Sequence, residues 1–193
     1  FGTLTLLPLF LQDVVGESAV QAGLVVLPGS IAMGLLGPVI GRIYDRVGPR
    51  PLIIPATLAV LVALATYSQL PSTSPLWVFM AVQMVLSVGL AASFTPLFSA
   101  SLGSLPRRLY SHGSAIVSTI QQVAAAAGTA LFVASMTAVM VSQEAAGASE
   151  TAAHAEGITT AFLIGAIIAT CGIGLASLLR KPESADGPAV AAH

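Results

Sequence analysis

"GRIYDRVGPRP" (residues 41–51) separates two long apolar runs and concentrates charge that is scarce elsewhere in the chain. Three of the seven Lys and Arg residues, Arg42, Arg46 and Arg50, fall here, with Asp45, Gly48 and a proline on each side of Arg50. Outward from this stretch the chain carries no Asp, Glu, Lys or Arg at 18–41 or 51–106, nor at 109–143 or 157–179. An apolar helix of ~20 residues, rising ~1.5 Å per residue, crosses a hydrocarbon core ~30 Å thick. A charge at its centre costs ~2.5–3.5 kcal/mol or more. Charge-free runs of this length are membrane spans, and the quoted stretch is the polar connection between two of them.

Composition agrees. Of 193 residues, 55% are hydrophobic and 8% charged, and the mean hydropathy is +0.91. Soluble domains carry about 25% charged residues. The net charge of −1 offers nothing for nucleic acid. The one cysteine, Cys171, excludes an internal disulfide and reads as a small buried hydrophobe. No His, Cys, Asp and Glu spacing suggests a metal site, and no cofactor motif is present.

The long run after Arg50 is divided by "QLPSTSP" (69–75), whose prolines and hydroxyl residues stop a helix. Six spans result, at approximately 1–12, 19–41, 52–69, 76–105, 114–142 and 158–179. The first is short and is expected to be the end of a helix that begins before Phe1. Residues 1–180 are expected to form one six-helix unit, and 181–193 ("KPESADGPAVAAH") a disordered tail. Every Lys and Arg falls on alternate connections: Arg42, Arg46 and Arg50, then Arg107 and Arg108, then Arg180 and Lys181. The other connections carry Asp13, Glu17, Glu144, Glu150 and Glu156. By the positive-inside rule, the basic loops and the C-terminus are cytoplasmic.

Within the spans, Ser30, Gly34, Gly37 and Gly41 recur every three or four residues, and Ala124 and Gly128 repeat the spacing. Small residues so placed let helices pack closely. Pro28, Pro38, Pro55 and Pro96 interrupt helices, as in transporters that bind or gate at broken helices. Intramembrane amides and hydroxyls are few: Gln83, Ser118, Thr119, Gln121 and Gln122. Gln121 and Gln122 lie ~100° apart on a helix. One reading turns an amide toward a water-filled pathway; the other satisfies both on neighbouring helices. No carboxylate lies deep in a span, and His112, His154 and His193 are expected in loops or the tail. "YSHGS" (110–114) suggests a helix N-cap more readily than a nucleophile with its base.

The stretch Gly41-Arg42-Ile43-Tyr44-Asp45-Arg46-Val47-Gly48-Pro49-Arg50 resembles the G-x-x-x-D-R-x-G-x-R cytoplasmic loop motif of the major facilitator superfamily. Pro49 replaces the usual basic residue, as suits the second, weaker copy of that motif. "LPLFLQDVVGESAVQAGLVVLPGS" (7–30) and "LGSLPRRLYSHGSAIVSTIQQVAAAAGTALF" (102–132) resemble the fourteen-helix drug:proton antiporter branch. The resemblance implies an all-α membrane protein: the C-terminal six-helix half of a major facilitator fold, its first helix truncated. It implies a proton-coupled exporter of lipophilic small molecules in the plasma membrane, working by alternating access against an N-terminal half. By position, Gly41, Asp45, Arg46, Gly48 and Arg50 would be gating residues, and Gln83, Thr119, Gln121 and Gln122 are candidates for the substrate pathway. Coupling carboxylates would lie in the other half. The alternatives are a non-transporting membrane scaffold or sensor, or an intramembrane enzyme.

Overall fold

The computed structural model describes residues 1–48, 50–103 and 105–178, with Arg50, Arg107 and 175–178 placed by backbone alone. The expected tail at 181–193, with Arg180 and Lys181, lies outside the described residues, as does Pro49. Apolar helices occupy all six expected places: α1 (Gly2–Leu9), α2 (Ala19–Val47), α3 (Arg50–Tyr67), α4 (Leu76–Gly103), α5 (Tyr110–Ala145) and α6 (Glu150–Leu178). Four of them, at Ala19–Val47, Leu76–Gly103, Tyr110–Ala145 and Glu150–Gly174, are long and apolar enough to cross a membrane. The chain is a multi-pass membrane protein.

Local chemistry sets the helix ends. α1 passes into one π-helical turn, Phe10–Val14, where Gln12 Nε2 donates to the Pro8 carbonyl at 3.1 Å. α2 opens on a capping box: Ser18 Oγ accepts from the Gln21 N–H, and Gln21 Oε1 accepts from the Ser18 N–H. It continues through Pro28 and Pro38 and closes at Gly48, whose N–H donates to the Tyr44 carbonyl at 2.8 Å. Gly48 has φ 81° and ψ −175°, a conformation open essentially to glycine alone. Pro51 sits in the first turn of α3, where its missing N–H is no loss.

Several expectations are corrected. The connection between the second and third spans is not a loop of about ten residues, because α2 runs on to Val47 and α3 starts at Arg50. Arg42 and Arg46 can extend into water from a helix, and cations suit its C-terminal end. α5 begins at Tyr110 and α6 at Glu150, so His112 and His154 lie in helices rather than loops. Ser114 is not an N-cap; its hydroxyl donates to the Ser111 carbonyl at 3.0 Å inside α5. Cys171 is exposed, on the outward side of α6.

The helices pack in a definite order. α2 lies on α4, α3 joins α4 to α6, and α5 lies on α6, with α1 lodged against α5. Leu6 and Leu7 of α1, with Phe10 and Leu11 of the π turn, enter the core beside Phe79, Phe132, Met136, Ile158 and Phe162. Close crossings use glycine. A Cβ on Gly29 would stand 2.5 Å from Ser87 Oγ, and one on Gly157 would stand 2.7 Å from the Met136 carbonyl. The Phe132 ring is held between Gly2 and Gly165, where a Cβ would come within 2.6 and 2.5 Å of it. Gly34, Gly37, Gly41 and Gly128 have open space instead. The G-x-x-x-G stripe and its repeat on α5 therefore do not pack these six helices together. The buried share of the apolar stretch is 39% in α4 but 17% in α2 and 11% in α5. α2 and α5 turn a broad apolar surface, Leu24, Ile31, Leu35, Ile116, Ile120 and Val123 included, away from the bundle.

Candidate functional site

The polar residues of the spans part company according to packing. Gln83 is fully buried where α3 meets α4. The Tyr67 hydroxyl lies 3.1 Å from the Phe79 carbonyl and 3.2 Å from Gln83 Oε1, and both accept from it. Gln83 Nε2 has no partner. Gln83 is thus enclosed inside the bundle, away from any open surface. Thr119 is exposed, and its hydroxyl is satisfied by the Ala115 carbonyl one turn back, at 2.9 Å.

Gln121 and Gln122 meet a different environment. With Ser118 they form one wall of a cleft of about 590 Å³ between α2, α4 and α5. Met33 comes from α2; Phe94, Thr95, Phe98 and Ser99 come from α4; Phe1 closes one end. The cleft exists because α4 and α5 touch each other little, each being held to a different neighbour, α4 by α2 and α3, α5 by α6. Pro96 lies buried at the same level of α4 and gives no N–H to the helix ladder there. Beyond Gln122, Ala125, Ala126, Thr129 and Ala130 continue the hollow along α5. The alanine run of "QQVAAAAGTALF" therefore forms a smooth wall.

This lining fixes what the cleft can do. Two amides and three hydroxyls offer neutral hydrogen bonds, and Phe94, Phe98 and Met33 offer apolar and aromatic contact. Aromatic faces attract cations by ~0.5–2 kcal/mol without any fixed negative charge. Among the described residues no Asp, Glu, Lys, Arg or His lines the cleft. It suits an amphiphilic or lipophilic small molecule, held loosely. Among the described residues no three His, Cys, Asp or Glu side chains come together to hold a metal ion.

The motif residues sit at the opposite end of α2 from Ser18. Gly48 is buried; Asp45 and Arg46 are exposed, and Gly41 is half-exposed with open space around it. Asp45 makes no ion pair among the described side chains. Arg50 opens α3. The five positions are brought together by the α2–α3 joint and stay apart from the cleft-lining glutamines.

Phe94, Phe98 and Met33 were not singled out by the sequence, because an aromatic in an apolar run carries no mark of which way it turns. The signal that could have pointed to them is "FTPLFS" (94–99), where hydroxyls and aromatics alternate around an intrahelical proline.

Residues 1–129 match the Major Facilitator Superfamily. The chain is 38% identical over 184 residues to the MFS-type transporter YcnB of Bacillus subtilis, an alignment covering 94% of this chain and 38% of YcnB. It is 35% identical over 186 residues to the lincomycin resistance protein LmrB of Listeria monocytogenes, covering 94% of this chain and 40% of LmrB. Against a multidrug resistance protein B homolog of Mycobacterium tuberculosis the identity is 29% over 133 residues, 68% of this chain and 25% of that protein. The chain thus spans about two fifths of the length of YcnB and LmrB. No solved structure matches.

Proposed function

Because the chain belongs to the Major Facilitator Superfamily, we propose that it forms the C-terminal six-helix half of a fourteen-helix proton-driven exporter of lipophilic small molecules. The observation that carries this reading is the neutral cleft between α2, α4 and α5, with Gln121 and Gln122 on one wall and Phe94 and Phe98 on the other. An apolar pocket with a few polar groups accepts many ligands at modest affinity, as an exporter of several drugs requires. The names of the lincomycin and multidrug resistance relatives support the same substrate class. The reading assigns no catalytic step to this half.

In this reading the cleft is closed on its open side by an N-terminal half. Asp45 reaches that half when the basic end is shut. The basic end and the C-terminus face the cytoplasm of a plasma-membrane protein. Proton-coupling carboxylates belong to the partner half, since among the described residues none lines the cleft.

Efflux by the full-length parent transporter, followed with a lipophilic cationic dye in everted vesicles under an imposed proton gradient, tests the proposal. Gln122→Leu and Phe98→Ala, each in correctly inserted protein, should lower the rate about tenfold, the loss of ~1.4 kcal/mol of transition-state binding. Wild-type efflux in both variants would remove the cleft from the pathway. Efflux indifferent to collapse of the gradient would remove proton coupling.

A further inference from the structure

A second polar site lies at the end of the bundle away from Arg42 and Arg46. His154 Nδ1, on α6, stands 3.6 Å from Asp13 Oδ2, which the π-helical turn at the end of α1 carries. That Nδ1 is shielded from solvent and has no hydrogen-bond partner, while Asp13 remains open to water. A π turn inserts one extra residue and redirects the side chains after it. Here it brings a carboxylate to the flank of a helix that is firmly seated, with Ala153 and Ile158 fully buried on either side of His154.

The charge setting is one-sided. No Lys or Arg occurs before Arg42 or between Arg108 and Arg180. Among the described residues His154 is therefore the one side chain at this end able to become a cation. The acids there are Asp13 on the π turn, Glu17 after it, Glu144 at the end of α5, and Glu150 and Glu156 on α6 itself. Of these, Asp13 alone forms an ion pair with it among the described residues. From α3 the titratable residue in the same core as Ile158 is Tyr67, whose hydroxyl is engaged with Phe79 and Gln83.

We propose that Asp13 and His154 form a proton-binding latch that pins the end of α1 to α6 when the imidazole is charged. The proton enters on the imidazole, and the resulting cation is held by the Asp13 carboxylate. Imidazole is the side chain whose charge changes most readily under physiological conditions. The latch is closed while the imidazole carries its proton and opens when that proton is lost. α1 borders the cleft through Phe1, so the latch restrains a cleft-lining helix at its far end. That consequence for transport rests on the function proposed above; the latch itself does not.

The test is hydrogen exchange of the backbone at residues 10–17 in the full-length parent protein in nanodiscs, at pH 5.5 and pH 8, corrected for intrinsic exchange chemistry. Wild type should be protected about fivefold or more at the lower pH relative to the higher. Asp13→Asn and His154→Gln should each abolish the difference, and the exchanged pair, Asp13→His with His154→Asp, should restore it. Equal protection of wild type at both pH values, or an undiminished difference in either single variant, overturns the latch whatever the protein transports.

Discussion

An amide at membrane depth must find a partner or water, and Gln83 and Gln122 take opposite solutions. Gln83 is enclosed, its oxygen accepting from Tyr67 and its nitrogen unpaired. Gln122 borders an open cleft lined by other hydrogen-bonding groups. Sequence alone marked both, with Thr119 and Gln121, as pathway candidates, because hydropathy tells that a residue is polar and not which neighbour it meets. The packing difference is measurable. Gln83→Leu removes an unpaired donor and leaves Tyr67 its bond to the Phe79 carbonyl, so thermal stability in detergent should change by less than ~1 kcal/mol. Gly29→Val places side-chain atoms on Ser87 and the Gln83 carbonyl. Overpacking of that kind costs ~1–3 kcal/mol, read as a lowered melting midpoint in the same assay.

Among the elements, the α2–α3 joint departs most from what charge pattern suggests. Charge pattern locates a membrane boundary, but a helix obeys backbone hydrogen bonding and continues past that boundary until a residue ends it. Here the terminator is Gly48, in a conformation that other residues adopt only with strain. The same logic put His112 and His154 in expected loops, although the lengths of α5 and α6 run beyond their apolar stretches. Helix number, order and approximate limits were legible because lipid demands length and the absence of charge. The cleft was not, because it arises from α4 and α5 each being claimed by another neighbour. Asp45→Asn, at the joint, should reduce efflux severalfold in the parent transporter while surface labelling shows normal insertion. Undiminished efflux would strip the motif of its gating role.

For the whole molecule, the distribution of charge and of exposed apolar surface sets its orientation and its company. Arg42, Arg46, Arg107 and Arg108 flank the helix ends on one side and Asp13, Glu17, Glu144 and Glu150 those on the other. Single cysteines at positions 46 and 150, in a parent protein freed of Cys171, should be labelled from opposite sides of the membrane, position 150 by an impermeant reagent on intact cells. Labelling of both from outside would overturn the assigned topology. The open stripe of Gly34, Gly37 and Gly41 lies on the poorly covered α2. It has backbone to offer a closely approaching helix that these six do not supply.

The seat of Phe132 has a mechanical corollary. At both glycines the Phe132 side chain fills the space that a Cβ would need, so α1 and α6 come nearer to it than any larger residue would allow. The ring is thereby a spacer that sets how far both helices stand from α5. An alanine at either glycine would act as a wedge and force the ring or a helix to shift.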